Sequence, residues 1–216
     1  MSKKKAYSGF NTKTMEHLLL DAGAFFKNFT YKNGGESNDT FDSAVEAGKL
    51  IGATKGGGEF SAVAAIRQIE VDGVKGRAKG LETIDSWDVY LKATVLETSA
   101  DTIKLALGSA TVDKATSDKY DIITGNADIS LDDYVDNITW VGKLSGSDEP
   151  VIIQVYNALN TDGLKLTVQD KAEATIPMTF YGHYTPEDLD TPPFKVFYPK
   201  AKTTTTTTTT GSEGNA

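Results

Sequence analysis

Cysteine is absent from all 216 residues, which excludes disulfide frameworks, thiolate-bound zinc, iron–sulfur clusters and thiol nucleophiles. Histidine is nearly absent as well: His17 and His183 are the only two, so a His-based triad or a His-rich metal site is hard to assemble. No apolar run approaches the ~20 residues that span a bilayer; the longest are short, as in Ala62 to Ile66 and Val151 to Ile153. Met1-Ser2-Lys3-Lys4-Lys5 starts like the basic region of an export signal, but residues 6–13 bring no apolar segment after it. The expectation is a soluble chain, without membrane contact, made in a reducing cytoplasm. A basic excess is missing too, with 22 Lys+Arg against 30 Asp+Glu and a net charge of −8. That is the wrong sign for gripping nucleic acid, because such affinity comes mainly from cations neutralising phosphates.

What is present is a composition of 39% hydrophobic and 24% charged residues, enough for one ordinary core and one main domain. Period-two alternation dominates the pattern. Ala172, Ala174, Ile176, Met178, Phe180 and Tyr184 share one face, against Glu173, Thr175, Thr179 and His183 on the other. Trp87, Val89, Leu91, Ala93 and Val95 stand similarly against Asp88, Lys92 and Thr94. Both read as half-buried strands. Weaker strands are expected over 25–31, 68–72, 120–124, 138–144, 151–156 and 194–198, separated by turn signals at Asp72-Gly73, Lys32-Asn33-Gly34-Gly35 and Asn160-Thr161-Asp162-Gly163. Pro177 removes a donor from its strand and predicts a bulge or a chain edge there. One helix is expected, with Ser99 as N-cap, Asp101 in the first turn, an Ile103, Ala106 and Leu107 stripe, and Gly108 as the stop. A second short helix is a candidate over 130–135.

Two segments lack a core pattern. Residues 33–58 hold Gly34, Gly35, Gly48, Gly52, Gly56, Gly57 and Gly58 and read as a long mobile loop, a kind of segment that is usually functional or disordered. The eight threonines from Thr203 to Thr210 and the residues after them read as an unstructured tail. The organisation expected is therefore an arm over 1–14, one domain over 15–200 and a tail over 201–216.

The chemistry-bearing motifs fail one by one. Gly52-Ala53-Thr54-Lys55-Gly56-Gly57 has the glycines of a phosphate loop, but Gly58-Glu59 stands where Lys and Ser/Thr must hold phosphate and magnesium. Asp132, Asp133 and Asp136, and again Glu187, Asp188 and Asp190, lack the spacing of a calcium loop and sit in turn-like sequence. The sequons at Asn28, Asn38 and Asn137 carry no weight without an export signal. No catalytic residue, metal ligand or cofactor site is expected.

Several stretches taken in order carry a resemblance. They are Leu20-Asp21-Ala22-Gly23-Ala24-Phe25-Phe26, Leu50-Ile51-Gly52-Ala53-Thr54-Lys55-Gly56-Gly57, and Ile69-Glu70-Val71-Asp72-Gly73-Val74-Lys75-Gly76 with Lys79-Gly80. Asn137-Ile138-Thr139 with Val141-Gly142, Tyr156-Asn157-Ala158-Leu159-Asn160-Thr161-Asp162-Gly163-Leu164, and Phe180-Tyr181-Gly182-His183-Tyr184 follow, closed by Pro193-Phe194 and Tyr198-Pro199. Over roughly residues 15–200 the chain resembles the major tail tube proteins of long, non-contractile-tailed phages of Gram-positive hosts. The resemblance implies a mainly β subunit, an antiparallel β-sandwich or half-barrel with one short flanking α-helix, of the fold shared with contractile tail tubes and type VI secretion tubes. It implies hexameric rings stacked into a tube that conducts DNA without holding it tightly, built in the host cytoplasm into the virion tail. Tape-measure, tail-tip and terminator proteins are the implied partners.

Two residue sets follow as expectations. Leu50, Ile51, Gly52, Lys55, Gly56, Gly57 and Gly58 are candidates for a loop ordered between subunits. Gln68, Glu70, Asp72, Asp88 and Lys92 are candidates for facing the lumen, where a shared negative sign would let DNA slide. Trp87 and Trp140 are expected as core or interface anchors. The competing readings are a tube of a contractile injection or secretion machine, a carbohydrate-binding β-sandwich, and an acidic hydrolase using Asp132/Asp136 or Glu187/Asp190, which lacks a base and a nucleophile.

Overall fold

A computed structural model describes residues 8–11, 13–32 and 37–200. The expected Thr-rich tail, residues 1–7 and 12 of the expected arm, and the turn at Asn33-Gly34-Gly35 lie outside the described residues. The chain is mainly β and antiparallel, as the alternation predicts. In order the elements are β1 (Leu19–Lys27), α1 (Phe41–Glu46), β2 (Thr54–Gln68), β3 (Glu82–Val95), α2 (Ala100–Leu107), β4 (Ala110–Asp113) and β5 (Ile122–Gly125). Then come β6 (Val135–Leu144), β7 (Val151–Asn160), β8 (Thr167–Gln169), β9 (Ala172–Tyr181) and β10 (Phe194–Phe197).

The strands form two sheets joined through β7. In the first, β1 pairs β6, β6 pairs β7, and β10 lies on the other side of β7 from Phe194↔Val155 to Phe197↔Ile152. In the second, β2 pairs β3, β3 pairs β9, and β9 takes β8 at one end and the last two residues of β7 at the other. The bend that carries β7 between them is at Asn157, whose φ of +47° suits Asn better than most side chains. The inner faces meet in one core: Phe25 from β1, Leu91 and Val95 from β3, Ile138 and Val155 from the first sheet, Ile176, Met178 and Phe180 from β9. Each such fully buried side chain contributes roughly 1.5–3 kcal/mol.

The helix α2 forms where the sequence predicts. Ser99 accepts a hydrogen bond from the Thr102 N–H at 3.1 Å, Ala106 is fully buried, and Gly108 ends the helix at φ +78°. A Cβ on Gly108 would also collide with the Asn160 carbonyl oxygen. Asn160 fastens this end: its Nδ2 donates to the Ala106 carbonyl at 2.5 Å, and its Oδ1 accepts from the Thr179 N–H at 3.3 Å. That last bond fills an interval of β9 that has no strand beside it, between the β8 pairing that ends at Thr175 and the β7 pairing that begins at Phe180. Pro177 lies two residues from Thr179, so its nitrogen faces the same open interval and no ladder bond is lost. The expected chain edge is thus a gap inside the sheet. The segment expected as a second helix is a single 3-10 turn, Leu131–Asp133.

Three expectations are corrected. The first strand runs from Leu19 to Lys27 rather than 25–31, because Asn28 at φ +54° turns the chain. The strand expected over 68–72 instead ends at Gln68, and Glu70 and Asp72 belong to the connection to β3. The long mobile loop over 33–58 is largely structured from residue 37 on. Thr40 and Ser43 close a capping box on α1, Ala44 is buried, and Leu50 bridges Phe26. Ile51 joins the core, and residues 54–58 are already strand. Glycine there serves geometry: Gly56 and Gly57 take φ +83° and +74° in a bulge where the β2–β3 register shifts, and Gly58 leaves room for the Phe25 ring.

The structured part of that segment covers the outer face of the first sheet with a second small core of Phe26, Phe29, Ala44, Val141 and Ile152. Beneath it Gln154 donates to the Phe29 carbonyl at 2.8 Å and to Thr139 Oγ1 at 3.2 Å, while Asn137 Oδ1 accepts from the Phe29 N–H at 3.0 Å. Asn137 is therefore an interior residue and not a glycan acceptor. This double covering explains why β7 is buried on both faces.

Candidate assembly interface

The longest elements are β2 and β3, of 15 and 14 residues, a hairpin roughly 45 Å long at about 3.3 Å per residue. Only part of it belongs to the sandwich. The buried residues of β3 are Val89, Leu91, Ala93 and Val95, and none between Glu82 and Asp88 is buried. Beyond Trp87 the hairpin leaves the core as a two-stranded ribbon carrying Ile66 at 64% exposure and Ile84 at 53%, next to Val63, which lies opposite Asp88 at 59%. A ribbon of two strands is marginal in water without further packing.

The outer edge of β2 pairs with no strand among the described residues, so its backbone donors and acceptors form a template for another strand. The other margins are blunted. Residues 49–51 cover β1 at Phe25–Lys27 through the Phe26↔Leu50 bridge and the Ile51 N–H to Phe25 carbonyl bond. Its start is bulged, with Asp21 at φ +67°, Gly23 at φ +69° and Trp140 Nε1 donating to the Ala22 carbonyl at 2.8 Å. The strands β8 and β10 hold three and four residues. Within the second sheet the two open margins are thus β2 and, across β3 and β9, β8.

The outward face of this sheet is polar. In register it presents Glu59, Ser61 and Val63 from β2, Lys92, Tyr90 and Asp88 from β3, and Tyr181 from β9, while Thr179 on the same side of β9 is buried. The Tyr90 hydroxyl donates to Glu59 at 2.6 Å, a bond that raises the phenol pKa, and its ring meets Tyr181 at 5.9 Å. Lys55 pairs with Glu173 at 3.1 Å. Charges here nearly cancel, with Glu59, Asp88 and Glu173 against Lys55 and Lys92.

The predicted residues are divided by this geometry. Asp88 and Lys92 lie together on the outward face. Gln68 closes β2 and donates to the Gly76 carbonyl at 3.3 Å, placing it with Glu70 and Asp72 at the far end of the hairpin. Of the loop candidates, Leu50, Ile51 and Gly52 are held inside the fold, Gly52 at φ +135° beside Glu97. Lys55, Gly56, Gly57 and Gly58 begin β2. Sequence reasoning missed Tyr90, Tyr181, Val63 and Ile66. The signal available was the alternation of Phe60, Ala62 and Ala64 against Glu59, Ser61 and Val63, which continues the hairpin back into the glycine-rich segment.

The acidity lies elsewhere. Residues 99–136, from the N-cap of α2 to the start of β6, carry eight Asp and three Lys, or −5 of the chain's −8. Asp133 here is structural: hydrogen bonds from the Ser130 N–H and the Ser109 hydroxyl, both 2.8 Å, hold its carboxyl below the usual pKa. Asp188 likewise accepts from Thr191 and is lowered by it. Both suspected carboxylate clusters therefore contain turn-closing groups, and among the described residues no three His or acidic side chains gather where a metal could be held. No helix among the described residues is long and apolar enough to cross a membrane.

Trp87 is half-buried against Phe194 at 5.4 Å, with its backbone N–H bonded to the Tyr184 hydroxyl at 3.1 Å, an anchor between the two sheets. Among known proteins, no family model matches this chain and no curated protein matches it.

Proposed function

We propose that this chain is the repeating subunit of a tube, hexameric rings stacked into the conduit of a long, non-contractile phage tail. The observation that carries the reading is the unpaired β2 edge on a hairpin too long for its own core. Pairing that edge with the opposite margin of the same sheet in another copy is a head-to-tail contact, and such contacts close into rings when the rotation permits. Closure would give every ladder group a partner and remove the exposed edge.

In this reading the second sheet forms the wall and its outward face the lumen, with Asp88, Lys92, Tyr90 and Glu59 towards the DNA. A balanced polar face without a cation excess gives phosphates little to bind. That replaces the strongly acidic lumen expected from net charge, since most of the acidity sits between residues 99 and 136. The role is structural, without catalysis or cofactor, in the virion, beside tape-measure, tail-tip and terminator proteins.

The test is negative-stain electron microscopy of the purified chain over a concentration and salt series, alone and with preformed tail tips. Open-centred rings or tubes are expected. A monomer that persists even with tips present overturns the reading.

A further inference from the structure

The outer face of the first sheet is covered only in part. Its strands stand in register as rows: Val141, Ile152 and Phe197 in one, Thr139, Gln154 and Lys195 in the next, and Asn137 opposite Tyr156 in the last. The first row packs into the second small core. Beyond it a cleft of about 780 Å³ opens between residues 29–32 and the sheet, within the roughly 300–1,000 Å³ usual for small-molecule sites.

The floor of the cleft is a hydrogen-bonded chain whose direction is fixed. Gln154, only 1% exposed, gives its Nε2 to the Phe29 carbonyl and to Thr139 Oγ1. A carbonyl only accepts, so Oε1 is the end that meets Tyr156, and the Tyr156 hydroxyl donates to it at 2.9 Å. The Phe29 N–H only donates, so Asn137 turns Oδ1 towards it, where Thr139 Oγ1 also donates at 2.7 Å. That leaves Asn137 Nδ2, which has no acceptor among the described residues although Asn137 is 9% exposed and lines the cleft. Buried polar groups are normally paired. Directly opposite, the Tyr156 oxygen has given its hydrogen to Gln154 and can still accept. Residues so placed have Cβ atoms roughly 4.5–5.5 Å apart, close enough for one ligand group to meet both.

The rim is cationic. Lys32 and Lys195 line the cleft and are exposed. Backbone bonds to the Asn38 side chain, 2.7 and 2.9 Å, fix Lys32, and Lys195 lies over the Tyr156 ring at 5.8 Å. Neither ammonium has an ion-pair partner, and no carboxylate lines the cleft, among the described residues. Asp39, bonded to the Thr30 N–H, is already paired with Lys49, and Asp136 falls on the other side of β6 from Asn137. Tyr31 and Phe197, edge to face at 4.8 Å, supply an apolar wall.

We propose that this cleft binds an acidic sugar, a pyranose bearing a carboxylate or a phosphate. A sugar hydroxyl both accepts and donates, which matches the Asn137 donor beside the Tyr156 acceptor. The anionic group matches the two unpaired ammonium groups, and the C–H face of the ring matches the wall of Tyr31 and Phe197. A neutral sugar leaves the lysines unpaired, and a bare anion leaves Asn137 so. The cleft belongs to the first sheet and the joining edge to the second, so this binding stands or falls apart from the tube reading.

The experiment is ligand-observed saturation-transfer NMR on the full chain, which reads binding to a monomer or an assembly alike. Glucuronic acid and glucose 6-phosphate are the probes, glucose is the neutral control and inorganic phosphate the competitor. One or both acidic sugars should receive saturation, and the stronger of the two identifies the anion. Glucose should bind about tenfold more weakly, for want of a charge-assisted bond, and phosphate should displace the sugars only in about tenfold excess. K32E/K195E changes two exposed positions, so it should keep the wild-type melting curve while binding drops at least about tenfold; K32R/K195R should still bind. N137D keeps the acceptor for Phe29 and Thr139, removes the donor, and should weaken both acidic sugars. No transfer to either acidic sugar, transfer unchanged in K32E/K195E, or glucose bound as well as the acids each overturns the site. Displacement by phosphate at equal concentration overturns it too, since the lysines would then hold any anion.

Discussion

His183 and Asn157 hold each other across the bend where β7 leaves one sheet for the other: Asn157 Nδ2 donates to the His183 carbonyl at 2.9 Å, and His183 Nδ1 lies 2.9 Å from the Asn157 carbonyl. The His183 N–H also donates to the Tyr156 carbonyl at 3.2 Å, and its ring meets Tyr134 edge-on at 5.1 Å. Asn157→Ala should therefore lose both the tolerated left-handed backbone and the side-chain bond, about 2–3 kcal/mol together. Asn157→Gly should lose only the bond. Urea midpoints ranked wild type, Gly, Ala are expected; equal midpoints for Gly and Ala would mean that the bend stores no conformational strain.

Much of this architecture is legible in the sequence, for identifiable reasons. The strands β3 and β9 alternate because one face meets the core, and α2 declares itself through Ser99 and Gly108. The strand β2 hides because its glycines suggest looseness while serving a bulge and the Phe25 ring. The Asn157 bend is hidden as well: the sequence places His183 on a polar strand face, but β9 ends two residues earlier, at Tyr181. Net charge misleads about the site, since it is a sum over a surface whose acidic part is set apart from the balanced sheet face. Edge pairing depends on which strands lie side by side, and no local pattern states that.

At the end of α2 two residues act on one point. Gly108→Ala places a methyl against the Asn160 carbonyl at a φ of +78°, and Asn160→Ala leaves the Ala106 carbonyl and the Thr179 N–H without their partner. Each should destabilise by about 1–3 kcal/mol. Sharing a site, they should be less than additive in the double variant, which denaturant unfolding of all four proteins measures.

The ion pair of Lys49 and Asp39, 2.6 Å apart with side chains only 24% and 16% exposed, fixes the segment that carries α1. Burial alone would raise the Asp39 pKa, but the Lys49 ammonium and the Thr30 N–H together bring it below the usual value. A depressed carboxylate contributes stability that is present above its unfolded pKa and is lost as pH falls through the folded one. Lys49→Met should remove about 1–2 kcal/mol at neutral pH and less below about pH 3.5, once Asp39 protonates in the unfolded chain and then in the folded one. Amide exchange of residues 40–47 across pH would locate the effect.

Asp133 should give an acid response of the same sign in a different place. Its carboxylate joins Ser130 to Ser109, and its lowered pKa means that the latch holds at neutral pH and opens as acid protonates it. Amide exchange over β4 and the Leu131–Asp133 turn should quicken below the ordinary carboxylate range in wild type. In Asp133→Asn it should be fast at every pH. A wild-type profile flat in acid would remove Asp133 as the latch.

Edge pairing makes the most direct demand on the hairpin. Val63, on the outward face opposite Asp88, and Ile66, on the ribbon beyond the core, are both exposed, so V63K/I66K should change the stability of the isolated subunit by no more than about 0.5 kcal/mol. Lysine on an exposed edge strand opposes pairing with another chain, and here it would also set like charges together at every joint of a ring. The variant should stay monomeric by sedimentation under conditions where wild type assembles, and it should lower the yield when mixed with wild type by capping growing rings. Assembly at the wild-type rate would mean that β2 is not the joining edge, and the short margin at β8 would then have to meet some other strand.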